Sequence, residues 1–218
     1  MKWSEWQPIY EEIISDFGYG REPDRRAARL LDELLNGHVI AGEEELQRLV
    51  AGKRVLVVGP ARTDGSADGF DTIIVADSGM ENALKLGLFP DIIVTDLDAS
   101  GEMLRQQMKM NERGSVLVVH AHGDNIPALK RYLPEIHGAV AGTTQAEPEG
   151  KLHNFGGFTD GDRAVTMAAH LGAAEIALLG FDLENPTPKA GRDAETKRKK
   201  LEWAGRIIGM ADPQAYIL

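Results

Sequence analysis

The sequence predicts an α/β fold, doubly wound, with a mostly parallel sheet of about six strands and an N-terminal helical extension. Three observations carry this. Short, continuous apolar runs rich in β-branched residues recur from Arg54 onward, as parallel strands covered on both faces require. Between most of these runs, apolar residues return at three- and four-residue spacing, the pattern of helical crossovers. Before Arg54 only the helical period is present. Residues 1–50 therefore read as a helical extension and residues 51–218 as the α/β domain.

In the extension, Trp3, Trp6, Ile9, Tyr10, Ile13, Ile14 and Phe17 share one helical face, and Gly18 and Gly20 stop that helix. Large aromatics mostly serve packing, so the two Trp are expected to dock this helix on the main domain. A second helix opens at Pro23 or Asp24, carries Ala27, Ala28, Leu30, Leu31, Leu34 and Leu35, and stops at Asn36-Gly37. A third spans Glu43–Val50.

The expected strands are Arg54–Val58 (RVLVV), Thr72–Ala76 (TIIVA), Ile92–Thr95 (IIVT), residues 116–119 (VLVV), residues 139–141 with their flanks, and Glu175–Leu179 (EIALL). Helices are expected at residues 80–86, 101–111, 126–132, 162–171 and 193–210, the last carrying Lys197, Arg198, Lys199 and Lys200. Residues 62–69, 143–151 and 185–192 are rich in Gly, Pro and polar side chains and are expected to be the least ordered.

The composition narrows the function. Apolar residues make up 43% of 218, enough for a packed core. With no Cys there is no disulfide framework, thiolate metal site or Cys nucleophile. The N-terminus lacks the basic-then-apolar order of a signal peptide. No apolar run approaches the roughly 18 residues of a membrane span. A cytoplasmic protein without membrane contact is expected. The net charge of −10 argues against a broad nucleic-acid surface. It leaves open a nucleotide held through a divalent cation, and the sequence admits a homo-oligomer.

The chemistry is expected where the strands end, since ligands of open α/β sheets bind beyond the carboxyl ends. Asp77 closes one apolar run, and Asp96 and Asp98 close the next. Such carboxylates suit Mg²⁺, which takes one or two protein carboxylates together with phosphate oxygens. Asp77 or Ser78 also reads as the cap of the next helix, and Ser100 as the cap of the one after. Helix N-termini attract anionic groups as well. Beyond VLVV lie His120, His122, Asp124 and Asn125. Asp124 reads as a cap or as a further carboxylate in the same crevice. The two His have no third nitrogen or sulfur ligand nearby in sequence, so zinc is not expected. In NFGGFTDGDR, Gly157 permits close backbone approach, Asp160 or Asp162 reads as a cap, and Arg163 can reach a phosphate. Phe155 and Phe158 are expected to be buried. Asp182 adds one more strand-end acid. Together, Asp77, Asp96, Asp98, Asp124, Asp160 and Asp182 are expected on one edge, where metal-bound polyphosphate offsets their mutual repulsion. Lys197 to Lys200 form a solvated helix face or bring a cation over the phosphates. Neither GxxxxGK[ST] nor GxGxxG occurs.

The stretch ADSGMENALKLGLFPDIIVTDLDAS resembles the thiamine pyrophosphokinase pattern of an ADGG-like strand end and a GDFDS loop. Here Ser78-Gly79 replaces the two glycines, Thr95 to Ser100 replaces the loop, and no β-sandwich substrate domain follows Leu183. The segments VTDLDAS, HAHGDN, NFGGFTDGDRAV and LLGFDL, with the Lys-rich last helix, are more similar to the archaeal 6-hydroxymethyl-7,8-dihydropterin pyrophosphokinase family. That resemblance spans most of the chain, including the extension. It implies a thiamine pyrophosphokinase catalytic-domain-like fold and transfer of diphosphate from ATP to a small pterin alcohol, releasing AMP, with Mg²⁺. The product would serve tetrahydromethanopterin or folate-type cofactor biosynthesis.

On this reading Asp77, Asp96 and Asp98 are the metal ligands, and Asp96, Asp98 and Asp124 carry the chemistry, Asp124 accepting the hydroxyl proton. Asp77, Ser78, His122, Asn125, Asn154, Gly157, Thr159, Asp160 and Arg163 are then substrate contacts, with Lys197 and Lys200 supplying charge over the phosphates. The competing expectations are a thiamine pyrophosphokinase, a nucleotide-sugar glycosyltransferase-like domain, or a non-catalytic nucleotide-binding domain. A receiver-like domain is disfavoured, because the first strand ends in Gly59-Pro60 rather than in acids.

Overall fold

The computed structural model describes residues 1–185 and 193–218. Helix α1 (Trp3–Phe17) ends at Gly18, whose φ of 67° gives the left-handed cap that glycine accepts without strain. Helices α2 (Arg21–Leu34) and α3 (Glu43–Val50) complete the extension. There follow β1 (Arg54–Val58), β2 (Thr72–Ala76), α4 (Met80–Lys85), β3 (Ile92–Thr95), α5 (Gly101–Glu112), β4 (Val116–Ala121) and α6 (Ile126–Tyr132). Then come β5 (Val140–Thr144), β6 (Leu152–His153), α7 (Asp160–His170), β7 (Glu175–Leu179), α8 (Ala194–Ala211) and β8 (Tyr216–Ile217).

The strands form one sheet in the order β6-β5-β4-β3-β2-β1-β7-β8, and the pairings along it are parallel. All six expected strands are present. The other two, β6 and β8, are two-residue edge strands, too short to leave a periodic signal.

The winding reverses beside β1. From β1 the chain steps outward to β6, then crosses back to place β7 on the other side of β1. Right-handed crossovers put helices of opposite winding directions on opposite faces, and the packing follows suit. Leu56, Val58, Val75 and Ile93 pack with residues of α2, α4, α5 and α6. The alternate residues Val55, Val57, Ile74 and Ile92 pack with residues of α3, α7 and α8. This is the period-two alternation of strands covered on both sides.

The extension has no core apart from the domain. Helices α2 and α3 each join one of these two cores, while Trp6, Tyr10, Ile13 and Ile14 of α1 pack with Phe158, Trp203 and Ile207. Trp6 is fully buried, as expected for a docking aromatic. Several details differ from expectation, among them the start of α2, which is Arg21 rather than Pro23 or Asp24. Helix α7 starts at Asp160 rather than at 162, because Thr159 is its N-cap and Asp162 closes a capping box. Residues 143–151 are not loose throughout, since Thr143 and Thr144 end β5 and Gln145 and Ala146 are buried. Their polar side chains face internal partners, which composition alone does not reveal. Of the expected loose segment 185–192, residues 186–192 lie outside the described residues.

Candidate active site

The ends of β2 to β6 and the start of α7 bring the polar side chains together. Asp77 opens a 3-10 turn, Asp77–Gly79, with a φ of 39°, and Leu97, between Asp96 and Asp98, has a φ of 63°. Among the described residues these are the non-glycine positions with positive φ. Such backbone costs about 1–3 kcal/mol per residue and is tolerated where the surroundings over-determine it. Here the surroundings are hydrogen bonds. The buried Asp77 carboxylate accepts from Thr95 Oγ1 at 2.9 Å and Gln107 Nε2 at 3.1 Å. Burial, then the charge of Asp96, pushes its pKa up to about 6.

Asp96 is also buried, but its balance is reversed. Its Oδ1 accepts from the Asp98 amide at 3.1 Å, and Oδ2 meets His122 Nε2 at 3.2 Å. Burial alone would raise it. The His122 hydrogen bond and the nearby Arg163 guanidinium outweigh burial and hold Asp96 well below the usual carboxylate range. His122 Nδ1 accepts from the Asp124 amide at 3.3 Å, which leaves the ring hydrogen on Nε2, facing Asp96. Asn125 fixes the two strand ends to each other. Its Nδ2 donates to Asp96 O at 2.8 Å and His120 O at 2.7 Å, while Oδ1 accepts from His122 N at 3.0 Å. Asp98 is exposed beside this pair.

The opposite wall is built by β5, β6 and α7. Asn154 Nδ2 donates to Ala146 O at 2.7 Å, and its Oδ1 accepts from Gly156 N at 2.9 Å. Arg163, 7% exposed, donates to Asp160 Oδ1 at 3.0 Å, Phe158 O at 2.7 Å and Gln145 Oε1 at 3.4 Å. Gly157, with a φ of 99°, lies against it, and a Cβ there would sit 2.5 Å from Arg163 Cα. Burial, then Asp96, raises the Asp160 pKa well above the ordinary value, against the pull of Arg163. Asp77, Asp96, Asp98 and Asp160 thus form one electrostatic group.

The remaining expected residues divide. Asp124 is exposed, is not the cap of α6, and its charge acts on Tyr19. Asp182 closes its own turn by accepting from Glu184 N and Asn185 N. Asp182 is thereby held within its own loop, while the Asp124 amide meets the His122 ring that contacts Asp96. Ser78 lies half-buried in the 3-10 turn without capping α4, whereas Ser100 caps α5 through Met103 N at 3.4 Å. In the basic run, Lys199 bonds Asp16 O and Arg198 pairs with Glu202, so these two serve helix contacts. Lys200 Nζ lies 5.5 Å from the centre of the Phe158 ring, at the wall of the site, and Lys197 is half-buried on α8. Phe155 and Phe158 are buried.

His120 is buried and held neutral, burial acting first and Arg163 next. Its Nδ1 meets Thr143 Oγ1 at 3.0 Å, and its Nε2 has no partner. Among the described residues, no three His, Cys, Asp or Glu side chains form a preassembled metal cluster. The set Asp77, Asp96 and Asp98 is therefore not drawn together as three convergent ligands: Asp77 is turned toward Thr95 and Gln107. A site of one or two carboxylates completed by phosphate oxygens remains, which is the kind Mg²⁺ uses. Sequence reasoning missed Thr95, Gln107, Gln145, Tyr10 and Asp24. Thr95 left a faint signal as the polar end of an apolar strand. The others lie on helices or in a segment that reads as a loop.

Residues 70–187 match the family model described as MptE-like, 6-hydroxymethylpterin diphosphokinase. The chain belongs to this family. Three relatives named 6-hydroxymethyl-7,8-dihydropterin pyrophosphokinase agree. The protein of Methanothermobacter thermautotrophicus is 41% identical over 217 residues, covering 93% of this chain and 92% of its own. That of Pyrococcus furiosus is 40% identical over 222 residues, covering 95% and 93%. That of Methanocaldococcus jannaschii is 33% identical over 232 residues, covering 95% of each. The pyrophosphokinase resemblance of the sequence therefore holds along the extension as well as the α/β domain. Among solved structures, a MAf glycosyltransferase from Magnetospirillum magneticum aligns with a TM-score of 0.47 and 16% identity, over 85% of this chain and 35% of that one. No helix among the described residues is long and apolar enough to cross a membrane.

Proposed function

We propose that this chain transfers diphosphate from ATP to the hydroxymethyl oxygen of 6-hydroxymethyl-7,8-dihydropterin, releasing AMP. Membership of the diphosphokinase family supports the reaction. The observation that carries the location is the acid group at the strand ends: buried Asp77 and Asp96, exposed Asp98, and Asp160, which act on one another electrostatically. Asp77 and Asp160 are raised by burial and by neighbouring carboxylates, a repulsion that a divalent cation relieves.

The donor set fits Mg²⁺, with hard carboxylate oxygens at Asp96 and Asp98, and Asp77 behind them. A divalent cation held by these carboxylates would supply positive charge against that of the phosphates. The chain's own residues do the rest. His122 and Asn125 hold the Asp96 loop in one conformation. The N-terminus of α5, beside Asp98, offers backbone amides to an anion. Arg163 places a fixed positive charge on the far wall. In the transfer the hydroxymethyl oxygen bonds to the β-phosphorus, the bond from that phosphorus to the oxygen of AMP breaks, and the hydroxyl proton passes to a carboxylate. Asp160, whose affinity for a proton is raised, and the exposed Asp124 are the candidate carboxylates for that role. After β7 the described residues form α8 and β8.

The test incubates the protein with ATP, Mg²⁺ and either the dihydropterin alcohol or thiamine, and follows AMP. AMP formation that depends on the pterin is expected. Turnover of neither alcohol, with ATP still bound, would overturn the enzymatic reading in favour of a binding module.

A further inference from the structure

One buried carboxylate outside the acid group joins both of its walls to the N-terminal helices. Asp24, near the start of α2, is 5% exposed. Its Oδ1 accepts from the Gly123 amide at 2.8 Å. Its Oδ2 accepts from Tyr10 Oη and Gln145 Nε2, both at 2.8 Å. Three donors on one buried carboxylate fix its orientation and satisfy the charge.

Each of these contacts leads into the site. Gly123 follows His122, which donates to Asp96. Gly123 also packs directly on α2, since a Cβ there would lie 2.5 Å from Pro23 Cβ. Gln145 turns its other amide atom, Oε1, toward Arg163 Nη2 at 3.4 Å, and Arg163 pairs with Asp160. The Gln145 carbonyl accepts from Trp6 Nε1 at 2.9 Å. Tyr10 and Trp6 come from α1, Asp24 from α2, and neither helix contributes a residue to the acid group itself.

We infer that Asp24 is a positioning residue for the diphosphate-transfer site. It holds the Gly123 turn so that His122 presents Nε2–H to Asp96, and it sets the Gln145 amide so that Arg163 stays on Asp160. The extension is therefore part of the active-site support, and it acts through hydrogen bonds rather than through contact with substrate. The inference rests on the reading of the Asp96 group given above.

The geometry makes the consequence of substitution specific. Asp24→Asn presents an N–H where two donors, Tyr10 and Gln145, now find an acceptor. Turning the Gln145 amide to compensate would set its N–H against Arg163, donor against donor. Tyr10→Phe removes one donor and leaves the carboxylate in place.

The experiment compares wild type, Asp24→Asn and Tyr10→Phe by two readouts. The first is the nitrogen NMR spectrum of the His122 ring without metal or nucleotide at mildly alkaline pH. The second is the steady-state rate of diphosphate transfer. Wild type is expected to show the Nε2–H tautomer. Asp24→Asn is expected to mix the tautomers and to lower kcat about 10- to 100-fold, at a temperature where circular dichroism shows the variant folded. Tyr10→Phe is expected to give a smaller change in the same direction. Wild-type tautomer and kcat in both variants would overturn the inference. If Asp24→Asn does not fold, Tyr10→Phe decides by the same criteria. If the wild-type protein transfers no diphosphate, the reading of the site fails, while the His122 tautomer still decides whether Asp24 positions that ring.

Discussion

His122 Nε2 lies 3.2 Å from Asp96 Oδ2, and its other ring nitrogen accepts from the Asp124 amide. The ring is thereby fixed as a donor to the Asp96 carboxylate. His122→Ala removes that donor while Asp96 stays buried, so the Asp96 pKa must rise. The diphosphate-transfer rate is expected to fall about 10- to 100-fold, and the acid limb of the pH–rate profile should move toward neutral pH. An unchanged rate and profile would show that the pair has no part in turnover.

Asp96→Asn and Asp98→Asn test the carboxylates at the strand end. Each is expected to lower kcat by about 100-fold or more. The fold should survive, because Asn keeps an acceptor for the Asp98 amide and Asp98 is exposed. Circular dichroism checks the fold, and raised Mg²⁺ should rescue part of the loss. Near-normal rates in both variants would remove the metal-ligand assignment.

Gly157→Ala probes the wall that holds Arg163. The added carbon would meet Arg163 backbone at 2.5 Å at a φ of 99°, and neither backbone can yield without moving the start of α7. A loss of about 2 kcal/mol or more is expected in urea unfolding. Wild-type stability would mean that the loop adjusts freely.

Asp162 predicts a pH dependence of stability. It is buried in the capping box of α7, and burial pushes its pKa up to about 6 against the opposing charge of Arg163. A raised carboxylate pKa means that the folded chain binds the proton more tightly than the unfolded one. The associated stability is present below about pH 4 and is lost as pH rises through about 6. A shift of that size corresponds to roughly 3 kcal/mol. Urea unfolding of wild type and Asp162→Asn should therefore diverge across this window, the wild type losing ground as pH rises. Parallel stability curves would count against a raised Asp162 pKa.

Much of the fold was legible because it rests on periodicity. The runs RVLVV, TIIVA, IIVT, VLVV and EIALL are long enough to show strand character, and the helices between them show theirs. Strands β6 and β8 were not legible, since two residues carry no period. The start of α7 was misjudged because Thr159 and Asp162 cap jointly, and the sequence offers several equally good caps. In the site, Asp77, Asp96, Asp98, Asp160 and Arg163 could be found because chain order places them where strands end and a helix begins. Asp124 and Asp182 fit the same rule, and the structure leaves both exposed.

By itself, the sequence determined the α/β class, the order of the strands along the chain, the acidic strand ends and the kinship with pterin pyrophosphokinases. These follow from local patterning and from motifs within single segments. Only the tertiary structure decided which acids share one electrostatic environment, that His122 serves Asp96, and that Asp24 reaches Gly123 and Gln145. Those relations join residues 26, 99 and 121 positions apart. Their physical basis is burial together with hydrogen-bond geometry, which packing creates and no local pattern encodes.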